Sequence, residues 1–251
     1  MKIYLNNEKF VAGMTLKEEG APEQNNTALH VANDLEDVIE NRAKVARFLK
    51  VELDNFVCAH QTHSANFYKV TRADKGRGVL TQKTAIPNTD ALYTFEPGIV
   101  LCSFTADCVP VMFYHEACGV VGVIHSGWQG TVKEITLRLF RHLVDVEKCD
   151  PSGFFVYIGS ALSQEKFEVD TDVYEKFRAL GYAEEFMFYR TKTKKYHIDN
   201  QQTVRKQCEL AGVPRERIFV DETCTFMSAE GFSYREDRET GRHMSFMMKK
   251  V

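Results

Sequence analysis

Three near-continuous apolar runs occupy the centre of the chain: Gly98-Ile-Val-Leu-Cys-Ser-Phe-Thr105, Val109-Pro-Val-Met-Phe-Tyr114 and Gly119-Val-Val-Gly-Val-Ile124. Each has the length of a strand and lacks the apolar-polar alternation of a half-exposed one, so the pattern predicts strands covered on both faces. Phe154-Phe-Val-Tyr-Ile158 reads the same way. Shorter strand candidates are Met1 to Val11 (one or two strands), Asn55 to Ala59, Ala65 to Thr71, Ile218 to Asp221 and the closing run Met244-Ser-Phe-Met-Met248. Gly13 to Asn26 is polar and punctuated, as a loop is, and Arg72 to Gly78 is a charged turn.

Helical spacing appears between these runs. Val38, Ile39, Val45, Ala46 and Leu49 recur with helical period after Asp34, which predicts an N-capped helix ending near Lys50. Thr131 and Glu134 have the spacing of a capping box, and Ile135, Leu139, Leu143 and Val144 supply the buried stripe of the helix after it. Asp170 or Thr171 caps a helix expected to run to Gly181. Asp199 with Gln202 opens another, stopped by Gly212 and Pro214.

No internal repeat, low-complexity tract or linker interrupts this succession, so residues 1–251 are read as a single α/β (α+β) domain of layered mixed sheets with flanking helices. At 251 residues and 44% hydrophobic the chain can build one sizeable core. No apolar stretch approaches the ~18 residues of a membrane span. The N-terminus lacks the features of a secretory signal, so a cytoplasmic location is expected. A net charge of −3 without a dense basic tract argues against nucleic-acid binding and for a small-molecule partner. Seven cysteines with no close-spaced framework are expected to be core thiols plus one ligand rather than disulfides.

Candidate chemistry gathers at the ends of the apolar runs. Cys108 follows the first central run, His125 ends the third in His125-Ser-Gly-Trp-Gln-Gly-Thr131, and His63 lies upstream in His60-Gln-Thr-His63. Two imidazoles and a thiol make a zinc-ligand set, and three protein ligands leave the fourth position open, as in catalytic zinc. Asp107, beside a ligand, is a candidate proton carrier; it can equally cap the next turn or orient His125, since metal-bound His donates its other nitrogen to such a group. Asp90 is a second carboxylate of the same type.

Taken together, Thr89-Asp-Ala-Leu-Tyr-Thr94, Ala106-Asp-Cys-Val-Pro-Val111, Gly119-Val-Val-Gly-Val-Ile-His-Ser-Gly-Trp-Gln-Gly-Thr131 and Phe232-Ser-Tyr-Arg235 resemble the laccase-domain family. Its members are also called multicopper polyphenol oxidases and are now regarded as purine nucleoside phosphorylases. Leu29-His-Val-Ala-Asn-Asp34 with Asn41-Arg42, and Thr240-Gly-Arg242, extend the resemblance over nearly the whole chain. It implies an α/β fold of layered sheets, a zinc held by His63, Cys108 and His125, and two activities. These are phosphorolysis of adenosine, inosine, guanosine and methylthioadenosine, with phosphate as co-substrate, and hydrolytic deamination of adenosine. Gln61, Gln129, Arg42, Arg235 and Arg242 are the candidates for holding substrate or phosphate. Some relatives are described instead as editing hydrolases of peptidoglycan precursors. Eight histidines with one close pair cannot furnish a multicopper centre, so copper bound here would be adventitious at an N/S site.

The chain departs from that family where anions would bind. Ser126 and Gln129 stand where His-Ala-Gly-Trp-Arg-Gly is usual, Ser64 replaces a Gly after the first ligand, and Gly159-Ser-Ala-Leu-Ser-Gln164 replaces Gly-Pro-Ala-Ile-Gly-Pro. Gln129 in place of Arg is expected to weaken phosphate binding. Trp128 can stack on a purine or anchor the core. Two other classes stay open: a metal-free hydrolase using a Cys108-His125 nucleophilic pair, and a binding protein without catalysis.

Overall fold

The computed structural model describes residues 1–251. Strands β1 (Lys2–Asn6) and β2 (Phe10–Met14) form an antiparallel hairpin. Helix α1 (Leu35–Leu49) follows; Asp34 accepts the Glu36 N–H at its N-cap and Lys50 closes it in the left-handed conformation, so both ends fall where predicted. Next come β3 (Phe56–Cys58), β4 (Phe67–Lys69) and β5 (Ala91–Thr94), then the three central runs as β6 (Val100–Thr105), β7 (Val109–His115) and β8 (Val120–Ser126). Helices α2 (Trp128–Val132) and α3 (Ile135–Asp145) precede β9 (Phe154–Ile158) and β10 (Glu168–Val169). The chain finishes with α4 (Thr171–Arg178), β11 (Met187–Arg190), β12 (Lys195–Ile198), α5 (Asn200–Leu210), β13 (Ile218–Val220) and β14 (His243–Lys249). None of the helices is long and apolar enough to cross a membrane.

Two mixed sheets pack face to face. One has the order β1-β2-β14-β6-β3, the other β13-β9-β7-β8-β5-β4. Strand alternation decides which side chains each face presents. Leu101 of β6 and Met247 of β14 meet Met112, Tyr114, Val121 and Val123 of β7 and β8 between the sheets. The alternate residues Val100, Cys102 and Phe104 face outward onto Val45, Ala46 and Leu49 of α1. On the far side Val109, Val111 and Phe113 pack on Ile135, Leu139 and Phe140 of α3 and Val204 and Cys208 of α5. The central strands β6, β7 and β8 are covered on both faces, which is why they are buried along their length and largely apolar. A third sheet, β10-β12-β11, packs with α4 around Val169, Phe177 and Ile198.

Four local expectations are corrected. Glu134 lies at φ 60 and makes no cap bond, while the Thr131 hydroxyl pairs with Ser126 at 2.8 Å, so a short helix and a kink stand where a capping box was expected. Asp170 gives its side chain to Lys195 instead of capping α4, which ends at Arg178 rather than at Gly181. Gly13 belongs to β2: a Cβ there would come within 2.6 Å of the Phe246 ring, so the glycine serves close packing rather than a loop. Cys118 and Cys149, expected as thiols, are joined in a disulfide between the β7–β8 turn and the segment after α3; only Cys58, Cys102, Cys108, Cys208 and Cys224 are free. Strand β5 lay within a motif and β10 to β12 are only two to four residues long, and no strand was predicted at any of them.

Candidate metal centre

Two strand ends and one loop bring His63, Cys108 and His125 together. Pro110 of β7 pairs with His125 of β8, so Cys108, just before β7, comes alongside the Ser126-Gly127 end of β8. His63 sits between β3 and β4 with its backbone in the left-handed region at φ 57, its carbonyl accepting Lys133 Nζ at 2.7 Å. The ligand atoms of the three residues all lie within 4.8 Å of one another, and His63 Nε2 is 3.8 Å from Cys108 Sγ. Zinc–sulfur and zinc–nitrogen bonds of ~2.3 and ~2.0 Å at tetrahedral angles separate two ligand atoms by about 3.5 Å, so this donor set fits the ion with small adjustments. Gly127 leaves the room: a Cβ there would lie 2.6 Å from His63 Cδ2 and 2.9 Å from Cys108 Sγ.

Asp90 holds this arrangement in place. Its Oδ1 accepts from His125 Nδ1 at 2.8 Å and from the His63 backbone N–H at 3.0 Å. Its Oδ2 accepts the Ser64 N–H at 2.7 Å and the Ser64 hydroxyl at 2.6 Å, and its backbone carbonyl accepts the His125 N–H at 2.7 Å. One buried carboxylate thus fixes the imidazole of one ligand and the backbone of another. The Nδ1 contact leaves His125 Nε2 as the nitrogen free to bind a metal, the usual carboxylate–histidine–metal order. Orientation of His125 therefore falls to Asp90 and not to Asp107. The Asp107 oxygens are committed elsewhere, Oδ1 accepting Thr225 Oγ1 at 2.7 Å and Oδ2 the Arg235 N–H at 2.6 Å.

The charges follow the geometry. Burial alone would raise the Cys108 thiol, but the His125 and His63 imidazoles beside it outweigh burial and hold it below its ordinary value. Burial would also suppress charge on His125; Cys108 and Asp90 outweigh that and raise it. Asp90 is kept well below the usual carboxylate range, against burial, by His125 and Ser64. The result is a thiolate among imidazoles anchored on a carboxylate, the state in which these groups exchange a proton for a metal cation.

Two cavities meet at the cluster. The first, about 410 Å³, is lined by His63, Cys108 and His125 together with His30, His60, Arg42, Arg242, Phe104 and Tyr234. The second, about 530 Å³, also reaches His63, Cys108 and Tyr234 and continues along Asp107, Trp128, Phe167, Asp172, Asn200 and Arg235. Gln61 lines the first cavity but spends its amide on the Phe104 backbone, donating to its carbonyl at 2.8 Å and accepting its N–H at 2.7 Å. Arg42 is buried and donates to the carbonyls of Thr27, Gly78 and Val79. Arg242 donates to the carbonyls of Thr240 and Gly241 with its guanidinium near the Tyr234 ring. Arg235 donates to the carbonyls of Lys166 and Glu168 at the second cavity.

Gln129 is exposed and lines neither cavity, so the expectation that it governs phosphate binding is not supported by its position. His30, His60, Phe104, Tyr234 and Asn200 reach the cavities although none was singled out in sequence as a site residue; His30, His60 and Tyr234 lie within the quoted motifs but were given no role. Each is a common residue whose neighbours come from distant parts of the chain.

Over residues 12–250 the sequence matches the family described as multi-copper polyphenol oxidoreductase laccase. A protein of Geobacillus stearothermophilus named purine nucleoside phosphorylase YlmD is 37% identical over 244 residues, covering 94% of this chain and 89% of that one. Its namesake in Bacillus subtilis is 36% identical over 248 residues, covering 96% and 89%. Among solved structures, the hypothetical protein YfiH of Bacillus licheniformis superposes with a TM-score of 0.91 at 34% identity, covering 96% of this chain and 93% of that one.

Proposed function

We propose that this chain, which belongs to the multi-copper polyphenol oxidoreductase laccase family, is a zinc-dependent enzyme of purine nucleosides. Its reactions are phosphorolysis of adenosine, inosine, guanosine and methylthioadenosine and hydrolytic deamination of adenosine. The relatives named purine nucleoside phosphorylase support the enzyme class. The observation that carries the reading is the His63-Cys108-His125 cluster, anchored by Asp90 where two cavities of substrate size meet. Zinc, when bound, supplies a Lewis acid and lowers the pKa of its water to ~7. His63, Cys108 and His125 would hold it, with Asp90 fixing the tautomer of His125.

The residues around the cluster supply the rest. Arg42 and Arg242 give the first cavity a positive field, which favours phosphate. In phosphorolysis the bond from C1′ to the purine breaks while phosphate oxygen bonds to C1′, and the leaving base needs a proton or a hydrogen bond. Both oxygens of Asp90 and of Asp107 are engaged. Neither carboxylate is therefore free to deliver that proton, and burial with Arg242 and Arg42 beside it lowers His30 to about 4, which leaves its ring neutral near pH 7. Oxidation of phenols through several coppers does not suit this chain: of eight histidines only His63 and His125 belong to a ligand cluster.

Metal analysis of purified protein, with product analysis on adenosine with and without phosphate, tests this. About one zinc per chain is expected, lost in Cys108→Ala. Adenine with ribose 1-phosphate should form only when phosphate is present, and inosine should form without it. Full zinc occupancy in Cys108→Ala would reject the ligand assignment. A copper-free, zinc-replete protein that oxidised a phenol faster than it processed any nucleoside would reject the purine reading.

One observation favours a second reading. Cys108, His125 and Asp90 follow one another in the order of a thiol-imidazole-carboxylate triad. A metal-free Cys108 hydrolase would retain activity after chelation and lose it to thiol alkylation, whereas the zinc enzyme loses it to chelation.

A further inference from the structure

The two cavities that meet at the ligand cluster have opposite chemistry. No carboxylate lines the first, which carries Arg42, Arg242, His30 and His60. Four carboxylates, Asp107, Glu168, Asp170 and Asp172, line the second against the two guanidinium groups of Arg235 and Arg238. Asp172, in the first turn of α4, forms no salt bridge. Arg235 is already turned onto backbone carbonyls.

The wall of the second cavity also holds an acceptor without a donor. Asn200 is 5% exposed; its amide nitrogen donates to the Ser126 carbonyl at 3.2 Å, and its Oδ1, fully buried, has no partner. A buried carbonyl oxygen left in this state keeps an unpaid desolvation penalty, so the site is suited to a ligand that brings an N–H or O–H. Trp128 and Phe167 add flat apolar surface beside it.

We propose that the second cavity is the nucleoside subsite and that phosphate reaches the cluster from the first. This rests on the purine-nucleoside reading above and assigns each substrate a place. A nucleoside is uncharged and rich in donors, with ribose hydroxyls and, in adenosine, an exocyclic amine. These match the unpartnered Asn200 Oδ1 and the Asp172 carboxylate, and the purine ring matches the aromatic wall. Phosphate is anionic and chiefly an acceptor, so the acidic cavity repels it while the carboxylate-free one draws it in. The two reactants then approach the ligand cluster from different sides without competing for one opening.

The chain carries its own reporter, because Trp128 is its single tryptophan. Adenosine titrated into zinc-loaded protein should change Trp128 emission saturably, whereas inorganic phosphate should not. Asp172→Asn should weaken adenosine binding, read by equilibrium dialysis and by the emission midpoint, by about three- to tenfold, the range for one charge-assisted hydrogen bond at a partly exposed site. It should leave the phosphate KM unchanged. Arg242→Gln should do the reverse, raising the phosphate KM with little effect on adenosine binding. Adenosine retained in dialysis without any change in Trp128 emission, or weakened by Arg242→Gln and not by Asp172→Asn, would overturn the assignment of subsites alone. No adenosine retained at all would overturn the purine-nucleoside reading together with it.

Discussion

Asp90 and His125, 35 positions apart in the chain, are joined twice: through the 2.8 Å contact of carboxylate with imidazole Nδ1, and through the His125 N–H, which the Asp90 carbonyl accepts at 2.7 Å as part of the β5–β8 ladder. The ladder sets the distance and the side-chain bond sets the ring. Ser64 adds its hydroxyl to the same carboxylate.

Asp90→Asn is expected to lower zinc affinity by about 10- to 100-fold, because the amide neither orients Nδ1 as firmly nor strengthens the imidazole as a ligand. Competition for zinc against a chelator of known affinity measures this. An unchanged affinity would mean that the β5–β8 ladder alone positions His125.

Gly127→Ala would place a methyl group where the His63 ring and the Cys108 sulfur now lie. Overpacking of this kind costs about 1–3 kcal/mol. Here the strain falls on the ligands, so zinc loss should exceed the drop in urea midpoint of the metal-free protein. A destabilised protein that keeps its full zinc affinity would contradict this.

Gln129→Arg should leave the phosphate concentration for half-maximal phosphorolysis unchanged, since position 129 lies outside both cavities and faces solvent. A clear fall in that concentration would show that the α2 turn approaches the anion during turnover.

Asp221 clips the two large sheets together, its Oδ2 accepting from Tyr4 and Ser160 at 2.7 Å each and pairing with Lys2 at 2.7 Å. Burial would raise this carboxyl, but Lys2, Ser160 and Tyr4 prevail and hold it well below the usual range. A depressed folded pKa means that the stabilisation is present above the unfolded value of ~3.9 and is lost as pH falls through the folded one. Asp221→Asn should therefore be less stable than wild type at pH 7, and the gap should narrow by about 1 kcal/mol at pH 3. Urea denaturation at the two pH values reads it; a gap independent of pH would remove the ionic contribution.

Local chemistry made much of this molecule legible in the sequence. The capped helix from Asp34 to Lys50 and the largely apolar β6, β7 and β8 are specified by residues adjacent in the chain, and their burial on both faces requires layers on either side. The clustering of His63, Cys108 and His125 was suggested by a thiol and an imidazole at the ends of buried strands with a histidine in an upstream loop. What the tertiary structure decided is everything that depends on the surroundings of a side chain. Asp90 and Asp107 are the same residue type beside similar motifs, yet one holds a ligand and the other the Arg235 turn, because sheet register and not sequence spacing determines which partner each carboxylate meets. Arg42 and Gln61 looked equally suited to substrate, and packing turned their donors onto backbone carbonyls. Cys118 and Cys149 met only through the fold. The division of the site into a cationic and an acidic cavity arises from segments as distant as α1, α4 and the loop before β14, and no pattern along the chain encodes a meeting among them.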